Sequence, residues 1–118
     1  NQQAYFAVLA DEEAVRRVVP DLERLKSLGP LDVVVTARGT EFDCVSRYFW
    51  PANGGAEDPV TGSIHAGLAP YWAQRLKKQS LVALQASERS GVLYCRVQDS
   101  TVFVAGHCVD YLEGVIRV

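Results

Sequence analysis

The 118 residues of this chain make one domain, able to bury roughly two thirds of its unfolded surface, and 48% apolar with 22% charged residues excludes a disordered segment. A formal net charge of -2, with basic residues scattered apart from the pairs Arg16-Arg17 and Lys77-Lys78, excludes a phosphate-tracking stripe and so excludes nucleic acid as a partner. No apolar run approaches the roughly 18 to 20 residues that span a bilayer, and the N-terminus lacks the basic-then-apolar order of a signal peptide, so the expected setting is cytoplasmic with no membrane partner.

Residues 4–9 are a short apolar run and read as a strand, after which Asp11 caps a helix through about Val19 with Val15, Val18 and Val19 on its inner side. Leu22, Leu25 and Leu28 recur at helical spacing and stop at Gly29-Pro30. Residues 31–36 are β-branched, residues 42–50 alternate apolar with polar, and both read as strands before Pro51-Ala52-Asn53-Gly54-Gly55 breaks the chain into a loop. Ile64, Leu68, Trp72 and Leu76 share one side of a helix that ends near Lys77. Ala66, Gly67 and Ala69 on its other sides predict a helix buried nearly all round, and Pro70 removes one of its hydrogen bonds. Residues 81–86, 92–97, 101–105 and 108–118 read as further strands, the second and third joined tightly at Gln98-Asp99-Ser100. The order predicts an α+β fold in which a mixed or antiparallel sheet curls around a central helix.

The stretch from Glu57 to His65 carries the chemistry. Pro59 keeps Asp58 outside the coming helix, Gly62 lets the backbone approach a ligand, and the first amides of the helix point outward without partners. A small carboxylate or phosphate suits such a place. The same residue types are also ordinary helix caps, so the spacing alone leaves capping and anion binding both open.

Cys44, Cys95 and Cys108 form an odd set without CxxC spacing and read as reduced, buried strand residues. His65 and His107 match no metal spacing, so no metal is expected. Arg47, flanked by apolar residues on a strand, reads as a structural charge paired with an acid. The chain contains no methionine, even at position 1, which is expected of a processed, trimmed or excised polypeptide.

Several segments together resemble the C-terminal half of the phenazine-biosynthesis PhzF-like family, which shares the diaminopimelate-epimerase fold. They are Ser46-Arg47-Tyr48-Phe49, the run from Glu57 through Ser63 with His65 after it, Tyr71-Trp72, Gln85 with Ser87 and Arg89-Ser90-Gly91, and Leu112-Glu113-Gly114, in the family's order and spacing. The resemblance implies that residues 1–118 are a single lobe, a curved, barrel-like mixed or antiparallel sheet wrapped around a central helix. A second lobe faces it across the active-site cleft. It implies isomerisation by proton transfer at carbon without metal or organic cofactor. The best-known member acts on an amino-hydroxy cyclohexadiene carboxylate.

Carried over by position, Asp58 is the catalytic aspartate. Gly62 and Ser63 receive the substrate carboxylate on their amides and the serine hydroxyl, and His65 stands with them as a substrate-binding residue. The family's proton-abstracting glutamate and a second active-site histidine belong to the other lobe, and no segment here corresponds to it. Ile64 where the family tends to have alanine is expected to crowd the anion site. Trp50 replaces a small residue, and Ser90 a common second glycine.

Two functional classes follow. In the first, the chain is a lobe of a PhzF-like isomerase for a small amino or hydroxy carboxylate, active only when a second lobe or a second copy in a homodimer completes the cleft. In the second, it is a non-catalytic stand-alone binding or assembly module that keeps the fold and the carboxylate site.

Overall fold

Asp11 and Asp21 each stand just outside a short helix and accept from the amide three residues on, Ala14 N at 2.7 Å and Arg24 N at 3.1 Å, which satisfies donors that a helix start leaves open. In the computed structural model, which describes residues 2–117, these helices are α1 (Glu12–Arg16) and α2 (Leu22–Lys26), and they join β1 (Ala4–Val8) to β2 (Asp32–Arg38). The first ends at Arg16 rather than near Val19, because Pro20 disfavours a helical residue before it, and Val19 is left 91% exposed. Then follow β3 (Cys44–Phe49), a 3-10 turn over Pro51–Asn53, α3 (Gly62–Leu76), β4 (Ser80–Gln85), β5 (Gly91–Gln98) and β6 (Thr101–Gly106).

The six strands lie in chain order in one sheet. β1 with β2 and β3 with β4 are parallel, each pair bridged by helix, while β2 with β3, β4 with β5 and β5 with β6 are antiparallel. The sheet is thus mixed, as the sequence predicts, but it is not curled into a barrel around a helix. β1 and β6 remain its two edges. The reason lies in the central strands, which are apolar on both faces and therefore require cover on both. Along β3, Cys44 and Tyr48 join the core beneath α3, whereas Val45 and Phe49 join Val15 of α1 in a second core on the opposite face. Helices on both sides of an open sheet replace the single wrapped helix.

α3 accordingly has one buried side, made of Ile64, His65, Leu68, Ala69 and Trp72, and an open one with Ala66, Pro70, Gln74 and Arg75 exposed. Of its small residues, Ala69 joins the core while Ala66 faces solvent, so the helix is not buried on every side. Trp72 donates its indole N–H to Thr36 Oγ1 at 3.0 Å, and the Thr36 hydroxyl donates in turn to the Val45 carbonyl, so these two polar side chains are satisfied in series.

The strand expected over 108–118 does not form: residues 107–117 have no regular structure, and Val118 lies outside the described residues. Val109, Tyr111, Leu112, Val115 and Ile116 are each at least 86% exposed. Strand propensity measures fitness for a half-buried pleated surface, and this segment meets none. Cys108, expected in a buried strand, is exposed with it, unlike Cys44 and Cys95.

Candidate functional site

The loop between β3 and α3 is held along its whole length before it delivers Asp58. Phe49 bridges to Glu57, and Asp58 N donates to the Tyr48 carbonyl at 3.0 Å. Arg47 grips Glu57 with two hydrogen bonds of 2.8 Å, from Nε and Nη2. Its remaining nitrogen donates to the Val18 carbonyl at 2.7 Å and the Arg16 carbonyl at 3.2 Å, covering the acceptors at the end of α1. Hydrogen bonding to Glu57 pushes the Arg47 pKa further up, and the guanidinium is the structural charge its apolar neighbours suggested. On the other flank, Ser87 donates to the Pro59 carbonyl at 2.7 Å. Gly91 lies so near Val60 that a Cβ there would fall 2.3 Å from a valine methyl. The turn before it places Ser90 at φ 52, a left-handed conformation that glycine adopts more easily, so the serine at this position strains the hairpin locally.

Thr61 is the last residue before α3, and its hydroxyl makes no capping bond to the helix. It donates instead to Asp58 Oδ2 in a short hydrogen bond. Gln85, fully buried at the end of β4, organises both residues: its Nε2 donates to the Asp58 carbonyl at 2.8 Å and to Thr61 Oγ1 at 3.1 Å, while its Oε1 accepts from Thr61 N at 2.8 Å. The first amides of α3 are thus left uncapped by side chains. Gly62 and Ser63 are exposed, and nothing stands within 4 Å of where a Cβ on Gly62 would be. Open amides at the positive end of a helix dipole, beside a carboxylate already supplied with a donor, form a place for an anion that does not meet a bare Asp58.

His65 lies elsewhere. It is completely buried one turn into α3, with Nδ1 2.7 Å from the Thr61 carbonyl and Nε2 without a partner. Burial lowers its pKa, which the backbone contact only partly offsets. Ile64 is buried in the core beneath α3, so its bulk does not crowd the helix start as its place beside the anion site implied. A cavity of about 460 Å³ next to the loop is lined by Glu57, Pro59, Ser87, Glu88 and Arg89, and not by Asp58, Gly62 or Ser63. Among the described residues no three His, Cys, Asp or Glu side chains gather to hold a metal ion, and no helix is long and apolar enough to cross a membrane.

The sequence reading brings Asp58, Gly62 and Ser63 together but gives no role to the two residues that arrange them, Thr61 and Gln85, although both lie in the segments that carry the resemblance. A glutamine closing the apolar run of residues 81–86 was the available signal, since a buried amide needs partners on both its atoms.

Residues 1–114 match the model of the PhzC-PhzF family, described as phenazine biosynthesis-like protein. The chain belongs to this phenazine biosynthesis-like family. A protein of Pseudomonas aeruginosa named as an uncharacterized isomerase is 53% identical over 113 residues, covering 96% of this chain and 43% of the relative. The human phenazine biosynthesis-like domain-containing protein is 47% identical over 76 residues, 64% of this chain and 26% of that protein. Among solved structures, a PhzF family protein of Enterococcus faecalis superposes with a TM-score of 0.82 at 47% identity over 86% of this chain and 39% of its own. A PhzC/PhzF protein of Clostridium difficile gives 0.85 at 38% identity, over 96% of this chain and 44% of its own. The chain spans less than half the length of these family members.

Proposed function

We propose that this chain is one lobe of a cytoplasmic PhzF-like isomerase, and that it holds the carboxylate of a small amino or hydroxy carboxylate at the start of α3. The observation that carries the reading is the diversion of Thr61 from capping to Asp58, which leaves the Gly62 and Ser63 amides free. The Ser63 hydroxyl adds a donor at the same place. Asp58, its Oδ2 occupied by Thr61, accepts a hydrogen bond from a substrate amino or hydroxyl group on its other oxygen or relays a proton. The family resemblance puts the proton-abstracting glutamate on the other lobe, so the base is expected from a second lobe. General base catalysis is often worth about 10²–10⁴-fold, and the lobe alone is expected to bind far better than it turns over. Kinship with proteins named as isomerases supports the reaction class.

The alternative, a binding or assembly module, draws on one observation. Tyr94 and Phe103 are exposed on the sheet and five large apolar residues are exposed in 107–117, a surface suited to a second lobe or a second copy in a homodimer.

Calorimetric titration with lactate and alanine tests the site. Asp58→Asn and Ser63→Ala are expected to weaken binding at least several-fold with unchanged thermal unfolding. Binding that survives both substitutions would overturn the assignment.

A further inference from the structure

Burial and the hydrogen bonds of His65 fix its chemistry. Nε2 is sealed from solvent without a partner, and a proton there would be a buried donor with no acceptor. Nδ1 faces a carbonyl oxygen at 2.7 Å, which only an N–H can satisfy. The ring is therefore the neutral Nδ1–H tautomer donating to Thr61 O, and its lowered pKa agrees.

The carbonyl it holds belongs to the peptide group that joins Thr61 to Gly62. Such a group is planar and trans, so its oxygen and the Gly62 N–H point in opposite directions. Fixing one aims the other. As the N-cap of α3, Thr61 already offers this carbonyl to the first backbone hydrogen bond of the helix, so the imidazole is a second donor on the same oxygen, at an end turn that glycine at the next position leaves easier to fray. Thr61 N and Oγ1 are engaged by Gln85 and Asp58, but those bonds lie on the other side of the Thr61 Cα and add no restraint to this peptide plane.

We propose that His65 is a positioning residue: its Nδ1–H pins the Thr61 carbonyl and thereby holds the Gly62 amide outward for a carboxylate. The role rests on the carboxylate site proposed above. It gives a buried imidazole a purpose that neither core packing nor direct substrate contact supplies.

The test uses the 118-residue chain labelled with ¹⁵N and acetate as the probe. Imidazole nitrogen shifts are expected to place the His65 proton on Nδ1, and acetate is expected to move the Gly62 and Ser63 amide signals. His65→Leu, which fills space without a donor, should weaken acetate binding about fivefold to tenfold, the worth of one hydrogen bond. His65→Asn, which keeps a nitrogen donor near the Nδ1 position, should restore most of it. A proton on Nε2 overturns the proposal, and this measurement needs no variant to fold. Acetate binding unchanged in His65→Leu, or lost equally in both variants, also overturns it. Failure of the unsubstituted chain to bind acetate removes the carboxylate reading itself and the positioning role with it.

Discussion

The hydroxyl of Thr61 donates to the carboxylate of Asp58 and accepts from no amide of the helix that Thr61 opens. One side chain thus settles two properties of the site, a carboxylate with its donor in place and a helix start with its amides unclaimed. Thr61→Val keeps the shape, removes the donor to Asp58 and leaves Gln85 Nε2 short of an acceptor. Unfolding in urea should show a loss of about 1–2 kcal/mol, whereas Thr61→Ser should stay within roughly 0.5 kcal/mol of the parent. Equal stability of the valine and serine variants would mean that the hydroxyl contributes nothing.

Gln85 anchors the loop to the sheet. Gln85→Leu strands the Thr61 amide and the Asp58 carbonyl without their present partners, and about 2–3 kcal/mol of stability should be lost. Gln85→Glu tests the geometry differently, by placing a buried carboxylate beside Asp58. Burial and like charge raise its folded pKa, so the variant gains stability below the ordinary carboxylate range and loses it as pH rises. Parallel stability profiles for the parent and Gln85→Glu would contradict this placement.

The loop-to-helix transition was legible in sequence because Pro59 and Gly62 act locally, and the strands were legible because their apolar patterns are. Sheet closure was not. The same alternation along residues 42–50 serves a barrel with one interior or an open sheet with a helix on each face, and only the packing of Val45 and Phe49 against Val15 decides between them. Gln85 and Thr61 are far apart in sequence, and nothing near either one announces their contact. Residues 108–117 carry strand-forming residues, but a strand also needs a surface to pack against, and these residues stay exposed.

Arg47 and Glu57 tie the loop to the end of α1. Both side chains are mostly buried, at 13% and 22% exposure, so loss of either leaves the other charge poorly solvated. Glu57→Gln and Arg47→Met are each expected to cost about 2–4 kcal/mol, and the double substitution less than the sum of the two. Additive losses in a double-mutant cycle would mean that the pair is not coupled.

Among the three cysteines, Cys44 and Cys95 are buried in strands, and burial pushes their thiols up to about 12 and about 11. Only a thiolate attacks a disulfide reagent, and Cys108 alone is exposed. Ellman's reagent at pH 8 should therefore modify one thiol of the folded chain quickly and all three only after unfolding. Rapid reaction of a second thiol would show that the sheet opens beneath α3.

His65 adds a pH dependence whose sign follows from burial. Its pKa in the folded chain lies below the ordinary 6.5, so above that value neither state binds the proton and stability is unaffected. As pH falls through 6.5 the unfolded chain takes up a proton that the folded chain refuses. Stability then declines, by at most about 1.4 kcal/mol per pH unit, until the lowered folded pKa is reached. Glu12 and Asp43, whose folded pKa values are also lowered, add their own losses at lower pH, in the carboxylate range below 4.5. Urea unfolding at intervals between pH 7 and 5 should therefore show a slope in the parent that His65→Asn abolishes. An identical slope in the two proteins would place the proton uptake on another group.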